Sequence, residues 1–287
     1  MGATVAVVGR GFGAAVHAPG WDLAGAHVLG VAGRREWRQL VEAADVVSVA
    51  TPPSTHAEVG LDALALGKAV LCEKPLAATL ADAEQLATAA DGARTAVNFH
   101  YRAIPAFVRF RELRDSPELD VLWTTLSRTK TGPPSWKDDP LQGGALAAYG
   151  VHALDYARWL LGEPHVESAT IDSAEDAFTA VLTHEGGGRT HLRVSLVADR
   201  RVHRLRAGDL VLENVHASDP TGAFTLHAEG RDVDVPKQPL PVPAAADPRI
   251  APFAVHARAL LDDAERPTFT DGLHAQRLLD EIRRAAS

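Results

Sequence analysis

A glycine-rich segment, VGRGFGAA, directly follows an apolar run near the start of the sequence. Gly9, Gly11 and Ala14 fill a G-x-G-x-x-G/A pattern between a predicted strand and a predicted helix. In this pattern the first glycine permits a tight turn, the second lets the backbone approach a pyrophosphate, and the third small residue packs on the strand. The helix N-terminus favours the phosphate charge. The turn, with Phe12 and Gly13, therefore predicts dinucleotide binding, and a glycine-rich turn without a ligand is the alternative.

Two arginines follow the second predicted strand, HVLGVA (27–32), where proteins that prefer NAD usually carry an acidic residue. Gly33, Arg34 and Arg35 stand there instead, and a guanidinium can hold a 2′-phosphate bidentately. The sequence predicts NADP(H) as the preferred cofactor, with NAD(H) possible. A solvated basic turn, in which nearby Glu36 pairs with one arginine, is the alternative.

The first hundred residues alternate short apolar runs with Ala- and Leu-rich helical stretches. This alternation predicts a Rossmann domain with a parallel sheet over residues 1–102. Its predicted strands are 4–8, 27–32, 45–50, 68–72 and 95–99. The connection 33–44 has room for one helix only, so we expect the sheet to be one edge strand short.

Residues 103–287 read as an α+β domain. Strand patterns follow one another at 121–130, 178–184, 189–197, 209–215 and 223–229, with one helix at 151–162 before most of them. Consecutive strands without intervening helices predict a mostly antiparallel sheet. Six prolines in 236–252 predict a surface connection, and helices are predicted at 253–264 and 271–285.

Composition narrows the possible partners and location. The formal charge of −8 disfavours nucleic acid, and no apolar run approaches the roughly 20 residues that cross a bilayer. The single cysteine, Cys72, excludes an internal disulfide and fits a reducing compartment. The scattered histidines fall into no metal-ligand spacing. We expect a cytoplasmic protein with a small-molecule substrate, no nucleic acid, no membrane and no metal.

Several segments together resemble the Gfo/Idh/MocA family of oxidoreductases. The matching segments are VGRGFGAAVHAP, ATPPSTH (50–56), CEKPLA (72–77), NFHYRAIP (98–105) and GGALAAYGVHALDYARWLLG (143–162). The resemblance spans the chain, and EKP followed by G-x-H-x-x-D is specific in combination. It implies a Rossmann domain, an open-faced sheet domain that mediates a homodimer or homotetramer, and reversible oxidation of an alcohol, often on a sugar or cyclitol.

Lys74 matches the lysine of the family's EKP motif, beside Glu73 and Pro75. The resemblance implies that its ammonium lies by the nicotinamide, binds the reacting oxygen and touches both cofactor and substrate. By position alone, Lys74 follows an apolar strand at the edge where open α/β sheets bind ligands. A surface lysine paired with Glu73 is the alternative, and a cis peptide before Pro75 is expected.

His152 matches the family's catalytic acid/base, and a histidine that titrates near neutrality can give or take the alcohol proton. Asp155 lies one turn later on the same face and can orient the ring. A helix-start histidine with a structural hydrogen bond is the alternative. The usual aspartate four residues earlier is Ala148, so either Tyr149 replaces it as a catalytic and substrate contact or the substrate lacks the corresponding hydroxyl.

The remaining candidates rest mainly on the resemblance. Thr51 and Pro52 follow the third predicted strand and should line the cofactor cleft; His56 is grouped with them, with the start of the next helix as its alternative role.

Tyr101, Arg102 and Trp136 are candidates for substrate contact. A salt bridge between domains is an equal alternative for Arg102, and Trp123 is predicted to be core.

These residues predict a reductase or dehydrogenase that interconverts a ketone and an alcohol on a sugar, a cyclitol or a biosynthetic intermediate. Three alternatives stay open: an imine reductase, an enzyme that retains its cofactor between two substrates, and a dinucleotide-binding regulator without catalysis.

Overall fold

The computed structural model describes residues 2–126, 136, 139, 142–216 and 221–287. The chain forms two compact units, Met1–Ala103 with Gln238–Gln276, and Ile104–Lys237 with Arg277–Ser287. The first unit therefore includes a C-terminal segment that the predicted division into 1–102 and 103–287 assigned to the second domain. The packing of that segment, below, gives the reason.

The first unit is built on a parallel sheet of five strands. They are β1 (Thr4–Val8), β2 (His27–Ala32), β3 (Val46–Val49), β4 (Ala69–Cys72) and β5 (Thr95–Val97). Their order is β2-β1-β3-β4-β5, and each neighbouring pair is parallel. A single helix (Arg38–Ala43) connects β2 to β3, so β2 forms an edge, as the short connection predicted.

The second unit contains an eight-stranded sheet. Its strands are β6 (Glu118–Thr124), β7 (Pro164–Ile171), β8 (Ala177–His184), β9 (Arg189–Ser195), β10 (Val202–Ala207), β11 (Leu210–Asn214), β12 (Thr225–Ala228) and β13 (Arg231–Asp232). The order is β13-β12-β11-β10-β6-β9-β8-β7. Among the described strands of this second sheet, only β6 and β9 pair in parallel. This confirms the prediction of a mostly antiparallel sheet.

Eight α-helices are described. They are α1 (Ala18–Leu23), α2 (Arg38–Ala43), α3 (His56–Ala65), α4 (Leu80–Ala89), α5 (Pro105–Leu113), α6 (Val151–Leu161), α7 (Ile250–Leu261) and α8 (Phe269–Ala286). A π-helical turn, Gly13–His17, runs directly into α1, and another, Leu146–Gly150, runs into α6. Within the described part of the chain, no helix has the length and apolar composition needed to span a bilayer.

The C-terminal segment belongs to the first unit because α7 completes its core. Phe253 and Leu260 of α7 are fully buried in the same cluster as Val5 and Val7 of β1 and Trp21 of α1. An apolar face of α7 would otherwise lie in water, and burying one such side chain stabilises a fold by about 1.5–3 kcal/mol. Helix α8 starts in the first unit and ends in the second.

The eight-stranded sheet buries one of its faces and exposes the other. Leu119 and Val121 of β6 and Leu192 and Val194 of β9 are buried, while the residues between them are largely exposed. This alternation is typical of an antiparallel sheet with a single covered face. Strand β10, VHRLRA, was not predicted because its exposed arginines interrupt the apolar pattern.

Replacing Leu260 with alanine tests whether α7 is part of the first unit's core. Leu260 is fully buried, so Leu260→Ala should lower the free energy of unfolding by about 2–5 kcal/mol in a urea titration followed by circular dichroism. Leu66→Ala, at a half-exposed leucine of the same unit, is the control. Equal stability of the two variants would contradict the packing described here.

Candidate active site

Gly9 begins the glycine-rich turn at the end of β1. Its φ of +131° lies in a region that side-chain-bearing residues rarely adopt, and its N–H donates to the Ala32 carbonyl at 2.9 Å. A Cβ on Gly9 would lie 2.3 Å from the carbonyl oxygen of Ala50, closer than van der Waals contact allows. Glycine is therefore required where β1, β2 and the residue after β3 meet.

Gly13, and not Ala14, supplies the close packing of the helix on the strand. A Cβ on Gly13 would lie 2.9 Å from Cγ1 of Val7, whereas Ala14 is exposed, so the role predicted for Ala14 is corrected. Around Gly11, apart from the glycine itself and its two chain neighbours, no heavy atom of the described residues lies within 4 Å of where a Cβ would stand. This open approach to the backbone at Gly11 fits a dinucleotide diphosphate.

A buried hydrogen-bond network surrounds the carboxylate of Glu73, directly after β4. His17 Nε2 lies 3.1 Å from Glu73 Oε1, and the Asn98 side-chain amide donates to the same oxygen at 2.5 Å. His17 Nδ1 lies 2.8 Å from the hydroxyl of Ser48 on β3. With a proton on Nε2, His17 donates a hydrogen bond to the carboxylate, while its Nδ1 faces the hydroxyl of Ser48. The network therefore fixes the residue that precedes Lys74.

The same network keeps Glu73 ionised. Burial alone would raise the pKa of this carboxyl, but the hydrogen bond and charge of His17, the charge of Lys74 and the hydrogen bond from Asn98 lower the pKa to about 2. The Glu73 side chain is only 13% exposed, so the charge is little screened. Lys74 thus has a fixed negative neighbour, and the Lys74–Pro75 peptide is cis, as expected.

His56 does not line the cofactor cleft, contrary to its predicted grouping. Its side chain is fully buried, with Nε2 2.8 Å from the Thr51 carbonyl and Nδ1 3.0 Å from the Pro75 carbonyl. Burial lowers the pKa of His56, which favours the neutral ring. His56 instead joins the loop after β3 to the turn after β4, while Pro52 keeps part of its surface exposed.

His100, which the sequence analysis did not single out, lies near Lys74 and Glu73. Burial lowers its pKa to about 3, with Glu73 raising the pKa and the positive charge of Lys74 lowering it. His100 is therefore neutral at pH 7, and its ring lies 4.4 Å from that of Tyr101. A neutral imidazole near the lysine can donate or accept a hydrogen bond. Tyr101 itself is 3% exposed, and its contact with substrate stays a prediction.

Arg102 forms an ion pair within the first unit. Its Nη2 lies 3.1 Å from Oδ1 of Asp271, and the two side chains are 11% and 19% exposed. The salt-bridge alternative for Arg102 is thus observed, although both partners belong to one unit and not to two. This pairing uses one N–H group of the guanidinium, and the contact of Arg102 with substrate stays a prediction.

Arg10 lies beside Gly33, the residue that follows β2, and adds a third arginine to the two predicted there. Arg34 and Arg35 are exposed after Gly33, and a Cβ on Gly33 would lie 3.4 Å from Cζ of Arg10. The carboxylate of Glu36 pairs at 2.8 Å with Arg10, from the glycine-rich turn itself. Three guanidinium groups therefore lie in the segments that flank Gly33.

In the second unit, Gly150 lets the start of α6 sit on the sheet. A Cβ on Gly150 would lie 2.7 Å from the ring of Phe178 on β8. His152 follows in the first turn of α6 and is 4% exposed, and Asp155, one turn later, is also buried. The glycine of G-x-H-x-x-D therefore has a packing role that fixes the position of His152.

An aromatic cluster supports Tyr149 and His152. Trp123 lies edge-on to Tyr149 at 5.1 Å between ring centres and 6.2 Å from the ring of His152. Trp123 also stacks on His203 at 4.0 Å between ring centres, and His203 Nε2 lies 3.1 Å from the Tyr156 hydroxyl. Trp123 is 8% exposed, in agreement with its prediction as core. Trp136 and Ala148 are partly exposed, and the substrate contact of Trp136 stays a prediction.

The predicted residues thus fall into two groups. Lys74 and the glycine-rich turn lie in the first unit, and Tyr149 and His152 lie in the second. That Lys74 and His152 act on one substrate stays a prediction. His17, Asn98 and His100 were missed, although each stands within a segment that carries the family resemblance.

Removing the charge of Glu73 should give a pH-dependent loss of stability. Because the folded pKa of about 2 lies below the ordinary value of 4.5, the carboxylate stabilises the fold above pH 4.5 and loses this effect as the pH falls toward 2. Glu73→Gln should therefore lower the unfolding free energy by about 3 kcal/mol at pH 7 and by much less near pH 3. Urea titrations at both pH values measure the difference.

The exposed Glu42→Gln is the control and should change neither value. If Glu73→Gln lowers the free energy of unfolding by the same amount at pH 7 and at pH 3, the charge of Glu73 is not what stabilises this site.

Comparison with known proteins agrees with this architecture. The model of an oxidoreductase family with an NAD-binding Rossmann fold matches residues 4–101, and that of the GFO/IDH/MocA C-terminal domain matches residues 114–207. The chain is similar to D-glucoside 3-dehydrogenase of Escherichia coli K12, with 36% identity over 137 residues, 45% of this chain and 39% of that protein. The match thus spans about two fifths of that relative.

Two further similarities cover more of the chain. D-xylose 1-dehydrogenase (NADP+) of Haloarcula marismortui is 26% identical over 256 residues, 81% of this chain and 69% of that protein. A levoglucosan dehydrogenase solved with NADH and L-sorbose has the same fold, with a TM-score of 0.82 at 18% identity over 100% of this chain and 97% of that one. Because the two family models together match more than half of the sequence, the chain belongs to the Gfo/Idh/MocA family of oxidoreductases.

Proposed function

We propose that this protein is an NADP(H)-dependent oxidoreductase that interconverts an alcohol and a ketone on a small polar substrate such as a sugar or cyclitol. The observation that carries the proposal is Lys74, which follows the ionised Glu73 at the carboxyl end of β4, in the unit whose glycine-rich turn is open at Gly11. Ligands of open α/β sheets bind at this edge.

The first unit supplies the ammonium group of Lys74 at a defined position. When bound, the nicotinamide supplies or accepts a hydride. Lys74 donates a hydrogen bond to the substrate oxygen and so stabilises the negative charge that develops there. The carboxylate of Glu73 interacts electrostatically with the ammonium of Lys74, and His17 and Asn98 keep that carboxylate in position.

The second unit supplies the proton. His152 gives a proton to the oxygen during reduction and takes it during oxidation, which a positioned imidazole accelerates by about 10²–10⁴-fold. The imidazole ring of His152 lies near the ring of Trp123, and Gly150 packs closely against Phe178 of β8. Both contacts limit the motion of the imidazole ring. Tyr149, which lies edge-on to the same tryptophan, provides a hydroxyl in place of the carboxylate that Ala148 lacks.

The arginines around Gly33 support the preference for NADP(H). Arg34 and Arg35 are exposed, and Arg10 extends over Gly33, so positive charge surrounds the place where a 2′-phosphate would lie. A relative named as an NADP+ enzyme agrees with this preference. The carboxylate of Glu36 lies near these arginines and is paired with Arg10.

We also infer that two or four copies associate through the exposed face of the eight-stranded sheet. This face carries ion pairs between strands, such as Arg189 of β9 with Glu167 of β7 and Arg204 of β10 with Glu213 of β11. Light scattering should give the mass of a dimer or tetramer, and the mass of a monomer at micromolar concentration would contradict the inference.

Substituting either proton-handling residue tests the mechanism. Lys74→Ala and His152→Ala should each lower kcat at least tenfold with the best polyol substrate, because each removes a group that touches the reacting oxygen. Cofactor affinity, measured by calorimetry, should change much less for His152→Ala. Unchanged turnover in both variants would refute the proposed chemistry.

The NADP(H) preference is tested by Arg34→Ala. This variant should weaken NADPH about tenfold or more and NADH less than twofold, since only NADPH has the 2′-phosphate that the guanidinium would bind. Arg38→Ala, at an exposed arginine paired with Glu58, is the matched control. Equal losses for NADPH and NADH would rule out a 2′-phosphate contact at Arg34.

Tyr149→Phe asks whether this hydroxyl replaces the absent aspartate. The variant should raise KM or lower kcat by about tenfold for a polyol while leaving the unfolding transition unchanged, because the ring still packs against Trp123. Kinetics indistinguishable from those of the native protein would assign Tyr149 a packing role only.

A further inference from the structure

Arg249, from the proline-rich segment before α7, lies against the glycine-rich turn. Its Cζ is 4.8 Å from the ring centre of Phe12, the residue between Gly11 and Gly13. The segment reads from sequence as a surface connection, and nothing in its composition suggests that it reaches the first strand of the fold. The structure brings a guanidinium to the turn from the far end of the chain.

The backbone on both sides of Arg249 is fixed by packing. Ile250 and Phe253, in the first turn of α7, belong to the buried cluster of the first unit, and Val242 and Ala246 pack against the same cluster. Arg249 therefore starts from a defined position and does not lie in a free loop.

The guanidinium itself is oriented by Asp247. Nε of Arg249 donates to Oδ1 at 2.8 Å, and Nη2 donates to Oδ2 at 2.5 Å. The hydrogen bonds from Arg249 are the largest cause that lowers the pKa of Asp247, so the pair is charged at pH 7. Because a guanidinium has five N–H groups and this pair uses two of them, three further N–H groups remain for another acceptor.

The neighbours of Arg249 follow the ends of three parallel strands. Phe12 follows β1, Glu73 follows β4, and His100 follows β5. Glu73 and Arg249 interact electrostatically, as do His100 and Arg249. The guanidinium thus lies at the carboxyl edge of the sheet, where the open backbone at Gly11 also lies.

We propose that Arg249 is a cofactor-binding residue that contacts the diphosphate of the dinucleotide from the side opposite the glycine-rich turn. Backbone N–H groups of the turn and a guanidinium from the C-terminal segment then hold one anionic group between them, and Arg is well suited to this because it bonds phosphate bidentately. The inference rests on the proposed dinucleotide binding and adds a residue from outside the Rossmann strands.

Calorimetric titration of the full-length protein with NADPH, NADH and ADP-ribose tests this proposal. ADP-ribose keeps the diphosphate and lacks the nicotinamide. Arg249→Ala should weaken the dinucleotide that the native protein prefers, and also ADP-ribose, by about tenfold or more, and should reduce the salt dependence of binding. Arg258→Ala, which removes an exposed arginine of α7, should leave the affinities within twofold.

Asp247→Asn separates ligand binding from a structural role. This variant keeps the guanidinium and removes its partner, so it should bind within about threefold of the native protein. If Asp247→Asn loses as much affinity as Arg249→Ala, the ion pair only stabilises the segment and the proposal is overturned.

The remaining outcomes are equally distinct. Native affinity in a folded Arg249→Ala variant overturns the Arg249 contact and leaves the proposed function intact. Failure of the native protein to bind any of the three nucleotides removes the proposed function, and the Arg249 contact with it.

Discussion

The buried carboxylate of Glu73 is the interaction on which the first unit's site depends. A carboxylate with this little exposure would favour its neutral form, and only the donors around it reverse that preference. Those donors come from the helix after β1 and the end of β5, while Ser48 of β3 holds the histidine donor from behind. One charge therefore ties four strands together at their carboxyl edge. Its requirement for partners explains why a histidine, a serine and an amide occupy positions that would otherwise suit apolar residues.

Sequence patterns recovered the elements whose signal is local. The parallel strands are continuous apolar runs, the missing edge strand follows from the short connection 33–44, and the hairpin of β8 and β9 alternates clearly. Features that depend on distant residues were not recoverable in this way. His56 looked like a cleft residue because it follows a strand, yet its two carbonyl partners are set by the tertiary fold. Likewise, Gly13 rather than Ala14 packs on β1 because the helix begins with a π-helical turn, which the glycine pattern does not encode.

The second unit positions its histidine by different means. Here the determinants are steric and aromatic: a glycine that leaves room for the ring of Phe178, and a tryptophan that stacks on His203 and lies edge-on to Tyr149. The loss of a carboxylate at Ala148 leaves this part of the site less charged than the family pattern, while its aromatic support is extensive.

The discontinuity of the first unit has a consequence for biosynthesis. The strands β1 to β5 leave the ribosome long before α7, the helix that shares their buried cluster. Until α7 has been made, the valines of β1 lack part of the cover that they have in the finished molecule, and exposed apolar strands are prone to aggregate. The core of the first unit can therefore close only after the intervening sheet has been synthesised. A core built from segments that are distant in sequence makes the order of synthesis part of the folding problem.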